Sequence, residues 1–207
     1  MEISLDDAYA PKTPAENKDL YAKWAKSYES DFVKNAGYQH PKVIAEIFDN
    51  EIPILNRVIE AGTGTGLVGL HLASYRNIIL DGIDISPEML AEAREKNVYR
   101  NLYERDLTRS IEGTDAPYDA LICIGIFTHG HLGTEAIQNL IPLISNNGYF
   151  VIGINAKYFT EKAFEGYFDK LESSGVITTP KFKSVHVYAT DSEHHDSLNV
   201  VAIFQRA

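Results

Sequence analysis

Residues 57–66 of the chain read RVIEAGTGTG, a short apolar run that ends in an acid and continues into three glycines at alternate positions. A single carboxylate, Asp84, follows about twenty residues later in the run Gly82-Ile83-Asp84. This pattern is typical of a buried strand followed by a turn whose backbone approaches a ligand closely. An acid at the end of the next strand then accepts hydrogen bonds from ribose hydroxyls. The stretch therefore predicts a site for an adenosine-bearing cofactor.

The composition of the 207 residues indicates one globular α/β domain. The formal net charge of −10 argues against a nucleic-acid partner, because phosphate contacts depend on Lys and Arg. Cys123 is the only cysteine, so no intrachain disulfide can form, which fits a reducing compartment. The acidic start lacks the apolar core of a signal peptide, and no apolar stretch reaches the roughly 18 residues that span a bilayer. We therefore expect a cytoplasmic protein without a membrane partner.

Strand-like and helix-like segments alternate along the chain, which predicts a parallel sheet with helices on both faces. The last two predicted strands, 182–188 and 198–205, are joined by too few residues for a parallel crossover. We therefore predict an α/β fold with a Rossmann-like, seven-stranded, mostly parallel sheet that closes with an antiparallel C-terminal hairpin. The other elements used below are a central strand at 118–127, helices at 17–32, 134–145 and 157–174, and a turn at 146–148.

The chain is expected to form one compact domain overall. Residues 1–50 are predicted to be an N-terminal helical lid segment, and residues 51–207 the cofactor-binding domain. Tyr21, Trp24 and Tyr28 recur in the lid segment at helical spacing, which is also typical of a helix that packs on a core. Because no separate substrate domain is expected, the lid segment and the loops would have to form the pocket for a second substrate.

The glycine pattern alone fits two cofactors. The run 64–69 satisfies the G-x-G-x-x-G pattern of NAD-binding folds, with Asp84 near the expected distance. Glu60 and Asp106 favour S-adenosylmethionine instead, because one acid can meet a positively charged amino-acid group and the other can accept the adenine amino group. An NAD(P)-dependent oxidoreductase, and a protein that binds S-adenosylmethionine without transferase activity, remain alternatives to a methyltransferase.

On its motifs the chain resembles a class I S-adenosylmethionine-dependent methyltransferase, from about residue 21 onward. The matching motifs are Glu60-x-Gly62-x-Gly64-x-Gly66, residues 82–90, Asp106-Leu107 and residues 118–122. Within that superfamily, Tyr21-x-x-Trp24-Ala25-x-x-Tyr28 is similar to the methyltransferase-like family named for the Williams–Beuren syndrome region and to its bacterial relatives. The resemblance implies transfer of the sulfonium methyl group to a nucleophile, with S-adenosylhomocysteine as the product.

The resemblance also implies which residues bind the cofactor. The glycine turn would run under the methionine part, Asp84 would hold the ribose hydroxyls, and Trp24 and Tyr28 would close over the cofactor. The full set that the resemblance implies is Trp24, Tyr28, Glu60, Gly62, Thr63, Gly64, Asp84, Ile85, Met89, Asp106, Leu107 and Ile124.

The methyl acceptor is predicted to be a small molecule, with a protein as the second choice. Strand 118–127 does not end in the Asn/Asp-Pro-Pro-aromatic motif of relatives that methylate bases or glutamine. His129 and His131 follow the carboxyl end of that strand, where open sheets bind ligands, and are the substrate-pocket candidates. No catalytic residue is assigned, because a base is needed only if the acceptor loses a proton. The late histidines His194 and His195 show no diagnostic ligand spacing, so no metal is predicted, and the oligomeric state stays open.

Overall fold

The structure is a computed structural model that describes residues 7, 8, 10 and 13–207. The helices from residue 13 onward are Pro14–Trp24 (α1), His40–Glu51 (α2), Leu67–Tyr75 (α3), Pro87–Glu95 (α4), Ala136–Leu140 (α5), Ala156–Glu161 (α6) and Phe164–Ser173 (α7), with a π-helical turn at Glu29–Lys34 and a 3-10 turn at Ile141–Leu143. The strands are Arg57–Ala61 (β1), Ile79–Asp84 (β2), Asn101–Glu104 (β3), Tyr118–Phe127 (β4), Ile144–Asn155 (β5), Lys181–His186 (β6) and Leu198–Gln205 (β7).

The strands form one seven-stranded sheet in the order β3-β2-β1-β4-β5-β7-β6. β1 pairs in parallel with β2 and β4, and β4 pairs in parallel with β5. β7 runs antiparallel to both β5 and β6, so it is the reversed strand of this sheet. The predicted fold class is therefore confirmed. Because the strand order changes direction between β1 and β4, ligands are expected beyond the carboxyl ends of these two strands.

Side chains of β4 alternate between two hydrophobic clusters, one on each face of the sheet. Leu121 and Cys123 belong to one cluster, and Ile122 and Ile124 belong to the other. This alternation follows from the two-residue repeat of a strand, and both sets are apolar because helices cover both faces. α2 packs into the second cluster through the fully buried Phe48. Hydrophobic clusters on both faces of the sheet therefore fix the positions of the central strands and of their carboxyl ends.

The first predicted helix, 17–32, is shorter than expected. α1 ends at Trp24, and the chain then forms the π-helical turn before α2. The predicted helix 157–174 is interrupted at Ala163, which has φ of 50°.

The predicted helix 134–145 is also too long. α5 ends at Leu140, and the chain continues as a 3-10 turn that contains Pro142, which has no amide hydrogen for the helix. β5 begins at Ile144, so the predicted turn 146–148 lies inside the strand as an irregularity, with Asn147 at φ of 63° and a register shift against β4.

Candidate active site

The turn between β1 and α3 presents open backbone at the carboxyl ends of the central strands. The amides of Gly62 and Thr63 donate hydrogen bonds to the carbonyl oxygen of Ile83, at 2.8 and 2.9 Å, which ties the turn to β2. Gly64 has φ of 53°, and a Cβ atom at this position would meet no protein atom within 4 Å. Protein packing therefore leaves the backbone of Gly64 free to contact a ligand closely.

A cavity of about 200 Å³, called the first cavity below, lies over this turn. Twelve of the fourteen predicted site residues line it: Tyr28, Glu60, Gly62, Thr63, Gly64, Asp84, Ile85, Met89, Asp106, Leu107, Ile124 and His131. Trp24 and His129 do not line it. The position beyond the strand ends is the one at which open α/β sheets bind ligands.

Asp84, at the end of β2, supports the glycine turn. Its Oδ2 atom accepts a hydrogen bond from the amide of Gly64 at 2.8 Å, and its Oδ1 atom accepts one from the amide of Ser86 at 2.9 Å. Ser86 caps α4 by accepting a hydrogen bond from the amide of Met89 at 3.2 Å. Burial raises the pKa of Asp84, against the opposing effect of the backbone hydrogen bonds. Each carboxylate oxygen retains a further lone pair, with which Asp84 can accept a ligand hydroxyl.

Glu60, in β1, is only 2% exposed. The hydroxyl of Tyr99 donates a hydrogen bond to its Oε2 atom at 2.5 Å. Burial raises the pKa of Glu60 to about 8, and the nearby negative charge of Asp84 also raises it. Tyr99 lies far along the chain and belongs to no motif, so the sequence analysis missed this contact. The site thus contains a carboxyl group that binds a proton near neutral pH and would release it beside a cationic group.

Asp106, in the loop after β3, is held by its own loop. Its Oδ1 atom accepts hydrogen bonds from the amide and the hydroxyl of Thr108, at 2.9 and 2.7 Å. Arg109 Nε lies 3.5 Å from Oδ2. Leu107 is 6% exposed and belongs to the core cluster. The carboxylate therefore has a fixed direction at the wall of the first cavity, as its predicted role toward adenine requires.

His131 forms a hydrogen-bonded pair with Tyr21 of α1. The Nδ1 atom of His131 lies 3.0 Å from the carbonyl oxygen of His129, so Nδ1 carries the hydrogen and donates it. The Nε2 atom must then accept the hydrogen bond from the hydroxyl of Tyr21, at 2.9 Å. Burial lowers the pKa of His131, which keeps the ring neutral and able to accept a proton. The sequence analysis named Tyr21 only as part of an aromatic stripe.

Trp24 and His129 lie outside the first cavity. Trp24 is 1% exposed and packs edge-on against Tyr28 and Phe32, at ring distances of 5.0 and 5.4 Å, because α1 ends there and the chain turns back. His129 Nε2 lies 2.7 Å from a carboxylate oxygen of Glu161 near the surface. The predicted closure of Trp24 over the cofactor therefore stays a prediction, and in the structure the ring lines a second cavity instead.

α1 forms the outer wall of the first cavity and is attached by three side chains. Asn17 Nδ2 donates to the carbonyl oxygen of Gly130 at 2.7 Å, and Lys18 Nζ lies 2.5 Å from Glu104 Oε1. The third attachment is the hydrogen bond of Tyr21 to the histidine after β4. α1 is therefore joined to the last residue of β3 and to the segment that follows β4.

The described residues contain no group of three or more His, Cys, Asp or Glu side chains that could hold a metal ion. In the late loop, His195 Nδ1 bonds to the carbonyl oxygen of Ser192 at 2.9 Å. No helix in the described part of the chain is both long and apolar enough for a membrane span.

Comparisons with known proteins agree with this geometry. Residues 58–148 match the family described as "Methyltransferase domain". Human methyltransferase-like protein 27 is 26% identical over 172 residues, which cover 78% of this chain and 68% of that protein. Magnesium protoporphyrin IX methyltransferase from Synechocystis PCC 6803, solved with bound S-adenosylmethionine, superposes with a TM-score of 0.65 at 20% identity over 94% of this chain and 97% of that one. A TehB-like S-adenosylmethionine-dependent methyltransferase from Corynebacterium glutamicum superposes with a TM-score of 0.59 at 18% identity, over 94% of this chain and 100% of that one.

Proposed function

We propose that this chain, which is a class I S-adenosylmethionine-dependent methyltransferase, methylates a small molecule that enters an enclosed space behind its N-terminal helix. When bound, S-adenosylmethionine supplies a methyl group on a positively charged sulfur atom. The observation that carries the proposal is the attachment of α1 over the first cavity by three side-chain contacts.

The residues of the first cavity fit the cofactor. Gly64 leaves the space that a Cβ atom would fill, and the backbone there can approach a ligand. Asn17 Oδ1 and Thr65 Oγ1 are buried atoms of the lining without a hydrogen-bond partner among the described residues. Because buried polar atoms in proteins are rarely unpaired, these two are expected to bind a ligand or ordered water. Glu60 would meet the cationic amino group, and Asp84 would accept the ribose hydroxyls.

The position of α1 favours a small acceptor over a folded protein. Residues of α1 and of the loop after β4 both line the first cavity, and hydrogen bonds join the helix to this loop. A folded protein surface would have to displace α1 and its contacts with Gly130 and Glu104, whereas a small molecule needs only a transient opening. We therefore propose that the segment 1–50 acts as a lid through α1, and that α2 anchors this lid in the core.

Tyr21 and His131 are the groups proposed to take up a proton when the acceptor loses one. The Nε2 atom of neutral His131 accepts the hydrogen bond from Tyr21, so a proton given to the tyrosine oxygen can pass to that nitrogen. Both residues line the first cavity. Tyr21→Phe is expected to lower kcat more than it raises KM for an acceptor with a hydroxyl group, and equal effects on both would argue against this role.

The test uses S-adenosylmethionine labelled in its methyl group and two acceptor pools, a defined compound library and a folded protein extract. Label in low-mass products is expected, and label only in protein would overturn the small-molecule acceptor. Calorimetric titration of the same protein with S-adenosylhomocysteine and NADH checks the cofactor. Binding of the first and not the second is expected, and Asp84→Ala serves as the control that weakens cofactor binding.

A further inference from the structure

A second cavity of about 80 Å³ adjoins the first. Both cavities share five lining residues, which form the boundary between them: Tyr21, Tyr28, Tyr38, Gly125 and His131. Three hydroxyl groups and one imidazole therefore lie where the two spaces meet.

An irregularity of β4 opens the boundary. β4 loses register with β5 between Cys123 and Phe127, and Gly125 lies in this stretch at φ of 75°. The nearest atom to a Cβ built on Gly125 would be the hydroxyl oxygen of Tyr38, at 3.9 Å. Bulges of this kind are frequent next to active sites, where they redirect or end strand pairing. Gly125 therefore leaves open space beside Tyr38 that the side chain of a larger residue would occupy.

Three buried side-chain atoms of the second cavity's lining have no hydrogen-bond partner among the described residues. They are Trp24 Nε1, His40 Nε2 and Thr128 Oγ1. Six such atoms occur in the described part of the chain, and two of the other three line the first cavity. Because proteins seldom bury unpaired polar atoms, their concentration in two adjoining cavities indicates groups that bind a ligand or ordered water.

The unpaired atoms are mainly donors. The indole nitrogen of Trp24 can only donate. His40 Nδ1 lies 3.5 Å from Asn199 Nδ2 and accepts from it, so the hydrogen of the neutral ring is on Nε2. Burial lowers the pKa of His40 to about 4, which keeps it neutral. The hydroxyl of Thr128 can donate as well. A molecule in the second cavity is therefore expected to bring a hydrogen-bond acceptor.

The lining of the second cavity is aromatic and uncharged. Seven of its sixteen described residues are Phe, Tyr or Trp, and none is Asp, Glu, Lys or Arg. Burying an ion there would leave its charge without a partner. Flat rings, by contrast, pack well against aromatic side chains in edge-on or offset arrangements.

We propose that the second cavity binds the methyl acceptor, and that this acceptor is a neutral molecule with one aromatic ring and an oxygen or nitrogen atom that accepts hydrogen bonds from Trp24 and His40. This inference rests on the proposed methyltransferase function. The cavity is about half the size of the ~150 Å³ engineered cavity that holds benzene, so a ring would fill it and extend past Gly125 toward the first cavity.

The lone tryptophan allows a direct test, because Trp24 gives the single indole N–H resonance in a ¹⁵N-labelled sample. The protein is saturated with S-adenosylhomocysteine and titrated with benzamide. Two control ligands of similar size are titrated in the same way: benzoate, which carries a charge, and cyclohexanecarboxamide, which has no aromatic ring. Benzamide is expected to move the indole hydrogen resonance downfield. Both control ligands are expected to bind at least about fivefold more weakly than benzamide. Benzoate finds no charge partner in the cavity, and cyclohexanecarboxamide has no flat ring to pack against the aromatic side chains.

Two matched variants locate the site. Thr128→Val removes an unpaired hydroxyl of the second cavity, and Thr65→Val removes one of the first. Neither variant breaks a hydrogen bond within the described residues, so neither should lower the unfolding temperature. Thr128→Val is expected to weaken benzamide binding about tenfold and leave S-adenosylhomocysteine binding unchanged. Thr65→Val is expected to weaken S-adenosylhomocysteine binding and to leave benzamide binding unchanged.

The outcomes separate this inference from the function on which it rests. Failure of S-adenosylhomocysteine to bind would overturn the proposed function and this inference together. Normal binding of S-adenosylhomocysteine, with an indole resonance that benzamide leaves in place, would overturn the inference alone. Benzoate binding as tightly as benzamide, or equal loss of benzamide binding in both threonine variants, would also overturn it.

Discussion

Replacing Glu60 by glutamine would remove a carboxyl group of the cofactor site that carries a proton near neutral pH. The pKa of Glu60 is raised to about 8, mainly by burial and also by the nearby negative charge of Asp84. At pH 6.5 a group with this pKa is about 97% protonated, and an α-amino group is almost fully charged. If the amino group of the ligand meets Glu60, the carboxyl must ionise to pair with it.

The size of the effect follows from the pKa. Ionising Glu60 at pH 6.5 costs about 2 kcal/mol, for a difference of about 1.5 pH units at ~1.36 kcal/mol per unit. Binding of S-adenosylhomocysteine should therefore release close to one proton, and its association constant should rise nearly tenfold per pH unit below about pH 8. Glu60→Gln keeps an acceptor for the hydroxyl of Tyr99 but has no proton to release.

The assay is calorimetric titration at pH 6.5 in buffers of different ionisation enthalpy. The slope of the observed enthalpy against that of the buffer counts the protons. We expect about one proton for the wild type and none for Glu60→Gln. Equal slopes for the two proteins, or no buffer dependence in the wild type, would refute the pairing of Glu60 with the amino group.

The same pKa predicts how folding stability depends on pH. The unfolded chain loses the proton of Glu60 near its usual pKa of 4.5, and the folded chain keeps it until about pH 8. The folded state therefore binds more protons in this window, and stability contributed by Glu60 falls as the pH rises through it. Glu60→Gln should flatten this part of the pH profile, and urea unfolding at pH 5 and pH 8.5 measures the difference. A variant that loses stability as the wild type does would contradict the raised pKa.

Three further predictions concern other parts of the chain. Gly64→Ala is expected to weaken S-adenosylhomocysteine binding at least about tenfold, because its Cβ atom meets only the cavity, and to cost about 1 kcal/mol of stability, because alanine is strained at φ of 53°. Gly69→Ala would meet a tyrosine ring and lower the urea midpoint further. Calorimetry and urea unfolding of both variants check this, and unchanged binding in Gly64→Ala would count against it. Tyr118→Phe should lower the free energy of unfolding by about 1.5–3 kcal/mol, since it removes the 2.8 Å hydrogen bond to the buried carboxylate of Asp81; a urea titration that shows no loss would disagree. Cys123 is buried, and burial raises its thiol pKa, so it should react with a thiol reagent only after unfolding, and rapid reaction of the folded protein would contradict the fold.

Much of the fold could be predicted from the sequence because apolar runs define the buried strands. β4 and β7 have the predicted bounds, 118–127 and 198–205, and the reversed direction of β7 followed from the short loop before it. The resemblance to class I methyltransferases is confirmed by the family match and the human relative. The predicted turn at 146–148 was wrong, because Asn147 and Gly148 also suit an irregularity with a residue at positive φ within a strand.

The candidate site was predictable where its residues follow strand ends in order. Gly64 follows β1 and Asp84 ends β2, and parallel strands bring such positions to one edge of the sheet. The contact of Tyr99 with Glu60 and the shift of Trp24 into the second cavity depend on how loops and α1 fold back over that edge. No periodicity encodes such tertiary contacts, so the sequence left them open.

The two cavities differ in charge, and this difference suits the two halves of a methyl transfer. Asp84 and Asp106 line the first cavity and not the second, and Glu60 of the first cavity can ionise beside a cationic group, so negative charge is available where a cationic cofactor is expected. The lining of the second cavity is aromatic and carries no Asp, Glu, Lys or Arg, so it would hydrate a neutral acceptor only weakly. A neutral acceptor with an O–H or N–H nucleophile loses a proton as it is methylated, and we propose that this proton leaves through the hydrogen bond between Tyr21 and His131 at the boundary.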